Sequence, residues 1–254
     1  MPLQPVSLGI AALTTIFTVL SSVGHLDFTY TEPVEHWDFT YTEPGQNLVK
    51  YFEKVTEGRK GLKILVPLCA TTYDLIWLCE QGHSVVGADL AESAAQRIFK
   101  QYKQEPIIED VPSIAGKIYK NASGNFKFYV GNFFRFDENL EGKFDFVWDA
   151  GAMCAVDERV SHKYMDAVRG VMQPKCITML EFPMEGGSGA PYHFSEEQMK
   201  ELYGDICDVE YMDEYVYDFS EAFSGDAQKD AIPQDFTEYD VKACLQTYSL
   251  RKRN

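Results

Sequence analysis

Asp89 closes a stretch, Gly61 to Leu90, that reads apolar strand, tight turn, amphipathic helix, second apolar strand and acid. The acid follows the first turn by ~20 residues, the spacing at which a carboxylate reaches the two hydroxyls of a ribose. Its competing assignment is a cap for the helix that follows. The first turn, Val66-Pro67-Leu68-Cys69-Ala70-Thr71-Thr72, holds no glycine, and no Walker lysine comes after it. A dinucleotide needs glycines there so that backbone can approach its pyrophosphate. A cofactor with a ribose and no phosphate suits the turn better. S-adenosylmethionine is the expected one, its amino-acid end lying where the pyrophosphate would have gone.

Two more groups belong to the same chemistry. Asn132 and Phe133 follow a third apolar strand, where an adenine is gripped by a backbone donor and an apolar face; the alternatives are a plain turn residue and a core aromatic. Trp148, Asp149 and Ala150 end a fourth strand at the carboxyl edge, where open α/β sheets bind ligands. Trp148 taken alone is a core residue. The aromatics around it would suit a sulfonium, whose charge is attracted to ring faces by ~0.5–2 kcal/mol. His83 lies on the approach to the second strand, away from that edge, and is read as structural. Methyl transfer from a sulfonium is an in-line displacement, so alignment and exclusion of water suffice. No covalent or general-base residue and no metal are expected.

The elements that must position these residues follow from periodicity. Leu48, Val49, Phe52 and Val55 recur at helical spacing before Gly58. Leu62–Leu68 and Ser84–Ala88 are buried strands around a helix, Tyr73–Gln81, with Leu75, Ile76, Leu78 and Cys79 inward. Ala91–Lys103 is helical on an Ala94, Ile98, Phe99 stripe, and Lys117–Tyr119 with Phe126–Val130 form a hairpin. Phe144–Trp148 is a strand, a helix runs from about Glu158 to Met172, and Cys176–Phe182 is the next strand. A helix opens at Ser195 with capping-box spacing to Gln198, and Val209–Tyr217 and Lys242–Leu250 close the chain as an antiparallel edge. Alternation of this kind gives an α/β fold with helices on both faces. The expectation is a Rossmann-like class I methyltransferase fold, a mostly parallel seven-stranded sheet with an antiparallel edge.

Composition narrows the partners. A formal charge of -16 over 254 residues disfavours nucleic acid, because nothing would release counterions from a phosphate backbone. The six cysteines are scattered with no C-x-x-C pair, which fits neither zinc ligation nor a secreted disulfide framework. Buried, reduced thiols in a cytoplasmic protein are expected. Val6 to Gly24 carries no charge and has the look of a signal or anchor, giving a membrane-tethered or secretory alternative through residues 6–24. No Lys or Arg precedes it, and Ser7, Thr14, Thr15, Thr18, Ser21 and Ser22 dilute it. Unless that segment is an anchor, no stable membrane association is expected. The heptapeptide DFTYTEP occurs at Asp27–Pro33 and again at Asp38–Pro44, too short a period to stack a core. The organisation is then an N-terminal extension, 1–36, and a cofactor-binding domain, 37–254, expected to be a monomer.

The segment from Gln46 to about Tyr203 resembles the thiopurine S-methyltransferase family. Its motifs are Leu65-Val66-Pro67-Leu68-Cys69, Gln81-Gly82-His83-Ser84-Val85-Val86-Gly87, Ser123-Gly124-Asn125, Lys143-Phe144-Asp145 leading to Trp148-Asp149, Gly151-Ala152, and the loop Gly189-Ala190-Pro191-Tyr192. The resemblance implies methyl transfer from S-adenosylmethionine to a small-molecule thiol or thiopurine-like substrate. It implies Leu68 at the methionine end of the cofactor, Asp89 at the ribose, and Asn132 with Phe133 at the adenine. Ala150 would line both cofactor and acceptor. Trp37, Phe39 and Tyr41 would form an aromatic lid, Trp37 on the cofactor and Tyr41 beside Pro191 and Tyr192 on the substrate side. The chain departs from the family pattern with Ala70-Thr71 where Gly-Lys is usual, with Ala150 where an arginine is usual, and with Pro233–Glu238 where a second basic region is expected. Two alternatives follow: a cofactor-binding protein with impaired catalysis, or a methyltransferase for another small nucleophile such as halide.

Overall fold

The computed structural model describes residues 42–184, 192–218 and 242–253. In chain order these form α1 (Gln46–Thr56), β1 (Lys63–Pro67), α2 (Asp74–Glu80), β2 (Ser84–Asp89), α3 (Glu92–Gln101), β3 (Ile107–Val111), β4 (Gly116–Lys120), β5 (Phe126–Val130), β6 (Phe144–Ala150), α4 (Ser161–Val171), β7 (Met172–Pro183), α5 (Glu196–Tyr203), β8 (Cys207–Asp218) and β9 (Lys242–Lys252). Single helical turns sit at Phe133–Arg135, Ala152–Ala155 and Glu158–Val160, among others.

The strands make one nine-stranded sheet in the order β3-β4-β5-β2-β1-β6-β7-β9-β8. Its centre, β5-β2-β1-β6-β7, is parallel throughout. β9 runs antiparallel between β7 and β8. The seven strands from β5 to β8 are thus the expected mostly parallel sheet with an antiparallel edge. The β3–β4 hairpin adds two strands at the opposite edge. Sequence periodicity leaves β3 out for a physical reason: as an edge strand it buries no residue, and Ile107 and Ile108 stay exposed.

β1 and β2 are near-continuous apolar runs, as strands covered on both faces must be. Alternation along the strands sends Ile64, Val66, Phe146 and Trp148 to the face covered by α1, α2 and α3. Leu65 and Val147 point to the face covered by α4 and α5. Gly87 lets α2 and the sheet close up, since a Cβ there would come within 3.0 Å of Cys69 Sγ and 3.1 Å of both Leu75 and Phe128. In α1, Leu48, Phe52 and Val55 turn inward as expected while Val49 faces solvent; the inward polar positions are Asn47 and Thr56. α4 starts at Ser161, after the single turn at Glu158–Val160, and β7 takes over at Met172. Ser195 and Gln198 form the expected capping box at α5, with Gln198 N–H on Ser195 Oγ and Ser195 N–H on Gln198 Oε1.

Trp37, Tyr41, Pro191 and the apolar segment 6–24 lie outside the described residues, as do the first heptapeptide copy and residues 233–238. No described helix is long and apolar enough to cross a membrane. Cys69, Cys79, Cys154, Cys176 and Cys207 are buried and free. Burial pushes the Cys79 and Cys176 thiols up to about 12, so neither is a nucleophile at neutral pH.

Candidate cofactor cleft at the carboxyl ends of the strands

Beyond β1 the chain turns through Leu68 and Ala70 in left-handed conformation, with φ of 43° and 44°. That conformation costs a residue with a Cβ about 1–2 kcal/mol. Hydrogen bonds hold it: Cys69 N–H donates to Ala88 O at 3.1 Å, and Ala70 N–H to Asp89 Oδ2 at 2.8 Å. Asp89 Oδ1 accepts the Ala91 N–H at 2.9 Å, at the start of α3. The acid therefore caps the following helix and also fastens the turn after β1. Burial pushes its carboxyl above the ordinary value, and the amides of Ala91, Ala70 and Leu90 pull it back. Three amides on a carboxylate with about four acceptor sites leave it room for a further donor.

α2 opens on a second carboxylate. Asp74 is buried, and its two oxygens accept Gly45 N–H and Trp148 Nε1–H, each at 2.6 Å. Trp148 is fully buried, so its indole braces the end of β6 from within and does not face a ligand. A carboxylate in the first turn of α2 also opposes a phosphate at that helix end, in keeping with a turn that lacks glycines.

One residue further on, Asp149 faces the other side of the sheet. Its Oδ1 accepts Met153 N–H at 3.0 Å and its Oδ2 the Tyr164 hydroxyl at 2.6 Å. Gly151, at φ 88°, makes the turn that brings Met153 back over the strand end. Burial raises the Asp149 carboxyl to about 6, partly offset by Tyr164 and the amides of Met153 and Ala152. Ala150, between this turn and the strand, is exposed and pairs in register with Glu181.

An open, largely apolar cleft lies over these strand ends. Leu68 and Leu90, following β1 and β2, form one part of its wall. Gly131, Asn132, Phe133 and Phe134, following β5, form a second, and Val156, Asp157 and Val160 a third. Asn132 Oδ1 accepts Phe134 N–H at 2.9 Å and its own N–H donates to Ile114 O at 3.0 Å, which sets the Phe133–Arg135 turn. Phe133, first in that turn, presents an amide with no partner inside the turn.

Of the residues expected at the site, Leu68, Asn132 and Phe133 line the cleft; Asp89 does not, although the next residue, Leu90, does. Ala150 and Tyr192 are not on the wall. Tyr192 N–H donates to Cys154 O at 2.7 Å, which ties the end of the 185–191 segment to the turn after β6. Sequence reasoning missed Leu90, Gly131, Phe134, Val156, Asp157 and Val160. Leu90, Gly131 and Phe134 could have been found as neighbours of Asp89, Asn132 and Phe133; Val156 and Asp157 sit in a segment with no periodicity to mark them, and Val160 just before α4. His83 is remote and structural, its Nδ1 accepting Leu62 N–H at 3.1 Å. Among the described residues no group of three or more His, Cys, Asp or Glu could hold a metal.

The family model described as "Thiopurine S-methyltransferase (TPMT)" matches residues 32–238. The thiopurine S-methyltransferase of Bos taurus is 31% identical over 172 residues, covering 65% of this chain and 69% of the bovine one. That of Rattus norvegicus is 29% identical over 177 residues, covering 66% and 72%. Among solved structures, TehB from Haemophilus influenzae superposes with a TM-score of 0.56 at 13% identity, over 84% of this chain and 64% of that one. The 1,6-didemethyltoxoflavin-N1-methyltransferase of Burkholderia thailandensis, with bound S-adenosylhomocysteine, gives 0.52 at 14% identity over 82% and 78%. At such identities the two structures speak for the fold alone.

Proposed function

Because the chain belongs to the thiopurine S-methyltransferase family of S-adenosylmethionine-dependent methyltransferases, we propose that it methylates a small-molecule thiol, with thiopurine-like aromatic thiols as the substrate class. The observation that carries this reading is the placing of Asp89. Its carboxylate fastens the glycine-free turn that follows Leu68 and caps α3 just after Leu90, and both of these leucines line an apolar cleft at the strand tips.

The residues present fit the cofactor. Asp89 has acceptor capacity left for the ribose hydroxyls. Phe133 and Leu90 offer apolar surface to the adenine, and Leu68 backs the methionine end. The acid at the start of α2 disfavours a phosphate. When bound, the cofactor supplies a methyl group made electrophilic by its sulfonium sulfur.

The protein's part is alignment and dryness. The apolar wall sheds water from an entering thiolate and so removes the hydration that blunts it. Among the described residues the only acid on the wall, Asp157, is held at about 2 by the Arg159 side chain and is too weak a base to take a proton from a thiol. The acceptor therefore enters already ionised, which favours aromatic thiols over aliphatic ones. We assign the N-terminal Trp37 to the cofactor, Tyr41 with Pro191 and Tyr192 to the acceptor side of the site, and Ala150 to both. The reading extends to a monomeric cytoplasmic protein whose methyltransferase domain spans 37–254, behind an extension at 1–36.

Incubation of the purified protein with labelled S-adenosylmethionine and a panel of aromatic thiols, thiopurines, aliphatic thiols and halides tests it. Label in the aromatic thiols and thiopurines is the expected result. Label only in halide refutes the thiol assignment. Cofactor binding with no transfer to any acceptor points to the impaired form.

A further inference from the structure

One carboxylate and one hydroxyl join two separate parts of the cleft wall. Asp149 Oδ1 accepts the Met153 amide at 3.0 Å, and Met153 O accepts the Val156 amide at 3.4 Å, so the wall residue Val156 hangs from the tip of β6. Asp149 Oδ2 accepts the Tyr164 hydroxyl at 2.6 Å. Tyr164 is fully buried in α4, the helix that begins directly after the wall residue Val160. Its ring lies 5.6 Å, centroid to centroid, from that of Phe133, tilted by 37°, and Phe133 lines the cleft from the β5 side. Neither Tyr164 nor Asp149 lines the cleft itself.

Among the described residues, the titratable groups around Asp149 are Tyr164 from α4, Tyr203 from α5 and Cys154 from the turn after β6. Burial raises all three above their ordinary values, so each is neutral at neutral pH; the charge of Arg169, also on α4, is felt by Tyr203. An ionised carboxylate accepts both of its donors at once. A protonated one must also place its own proton, which competes with the Tyr164 hydroxyl at Oδ2 or with the Met153 amide at Oδ1. Burial raises the Asp149 carboxyl to about 6, which brings that competition within reach of a binding assay.

We propose that Tyr164 is a positioning residue of the cleft: with its hydroxyl on Asp149 and its ring on Phe133, it sets the Val156–Val160 wall against the Phe133 wall at the spacing the cofactor needs. This rests on the cofactor reading above and adds to it a residue that acts on the ligand only through others.

Calorimetry with S-adenosylhomocysteine tests it on wild type, Tyr164→Phe, Asp149→Asn and the double variant. Tyr164→Phe keeps the ring against Phe133 and removes only the hydroxyl. It should raise the dissociation constant about fivefold, the scale of one hydrogen bond. The double variant should bind no more weakly than the weaker single variant, because both substitutions break the same bond. Wild-type affinity should fall severalfold from about pH 7.5 to about pH 5, and Asp149→Asn should flatten that fall. Thermal unfolding run in parallel reads out a merely structural role. Lower melting temperatures with dissociation constants within about twofold of wild type in both single variants overturn the proposal alone. Effects that add in the double variant overturn it too. Should a variant fail to fold, the wild-type profile decides: a fall in affinity toward low pH supports the proposal and a flat profile overturns it. Failure of wild type to bind the ligand at any pH overturns the cofactor reading and this proposal together.

Discussion

Asp89 and Ala70, nineteen residues apart, are joined by a 2.8 Å hydrogen bond from the Ala70 amide to Asp89 Oδ2. One carboxylate thereby fixes the relative position of the turn after β1 and the start of α3, whose neighbours Leu68 and Leu90 line the cleft. Replacing it should show at two levels. Asp89→Ala should weaken S-adenosylhomocysteine binding by ~1.5–3 kcal/mol, the worth of a charge-assisted hydrogen bond. Asp89→Asn, which keeps one acceptor, should lose less. Calorimetry checks both, and unaltered binding in Asp89→Ala removes this residue from the site.

The same turn carries a conformational cost that the sequence could shed. Ala70 sits at φ 44°, where glycine is free of the Cβ penalty. Ala70→Gly should therefore raise stability by about 0.5–1 kcal/mol, less whatever the freer unfolded chain takes back. Urea unfolding reads this directly. A clear destabilisation would mean that the alanine methyl makes packing contacts worth more than the strain.

Trp148 and Asp74 form a buried pair reaching from the end of β6 to the start of α2, with Gly45 on the second carboxylate oxygen. Trp148→Phe keeps an aromatic ring but leaves the buried acid short of a donor, so it should cost about 1–3 kcal/mol. A loss within ~0.5 kcal/mol, the range of an ordinary surface change, would show that the indole N–H contributes nothing.

Asp149 makes stability depend on pH. Its folded value, about 6 against an ordinary 3.8, is raised by burial. The folded protein therefore holds a proton there that the unfolded chain has given up between those values. The stability tied to that proton is complete below about pH 4 and falls away as pH rises to about 6, by about 3 kcal/mol at most. Asp149→Asn removes the titration. Its stability relative to wild type should climb between pH 4 and pH 6 in denaturant titrations, and a constant difference across that window would disprove the linkage.

Ala150 stands exposed at the tip of β6, on the side assigned to the acceptor. Ala150→Arg would add a cation where a thiolate arrives, beside Glu181 on the neighbouring strand. Thiol methylation at pH 7 should rise severalfold, more for weakly acidic thiols than for strongly acidic ones. Equal or lower turnover for every thiol would show that charge at this position is not limiting.

Much of the frame was legible in the chain itself. The β1–α2–β2 unit, the acid that ends it and the inward residues of α2 and α3 follow from periodicity, because each of these segments buries one continuous surface. Asp89 was legible in position but not in scope: it caps α3, as one reading had it, and also fastens the turn after β1, since a carboxylate has two oxygens to share. Trp148 looked equally suited to core and ligand, and only the neighbouring Asp74, brought from α2, turns the indole inward. Val49 fits a helical stripe yet faces solvent, because α1 covers the sheet with a narrower face than its apolar residues suggest.

The sequence by itself determined the fold class, the family and the absence of a phosphate loop, since these depend on residue order over short spans and on burial averaged along each segment. Tertiary structure decided the rest. It added β3 as a strand that pairing, not burial, creates, and it held Ala70 in a conformation its side chain resists. It also brought Asp157 into the same wall as Asn132 and Phe133. These last outcomes hinge on contacts between segments far apart in the chain, whose energies no local pattern of residues contains.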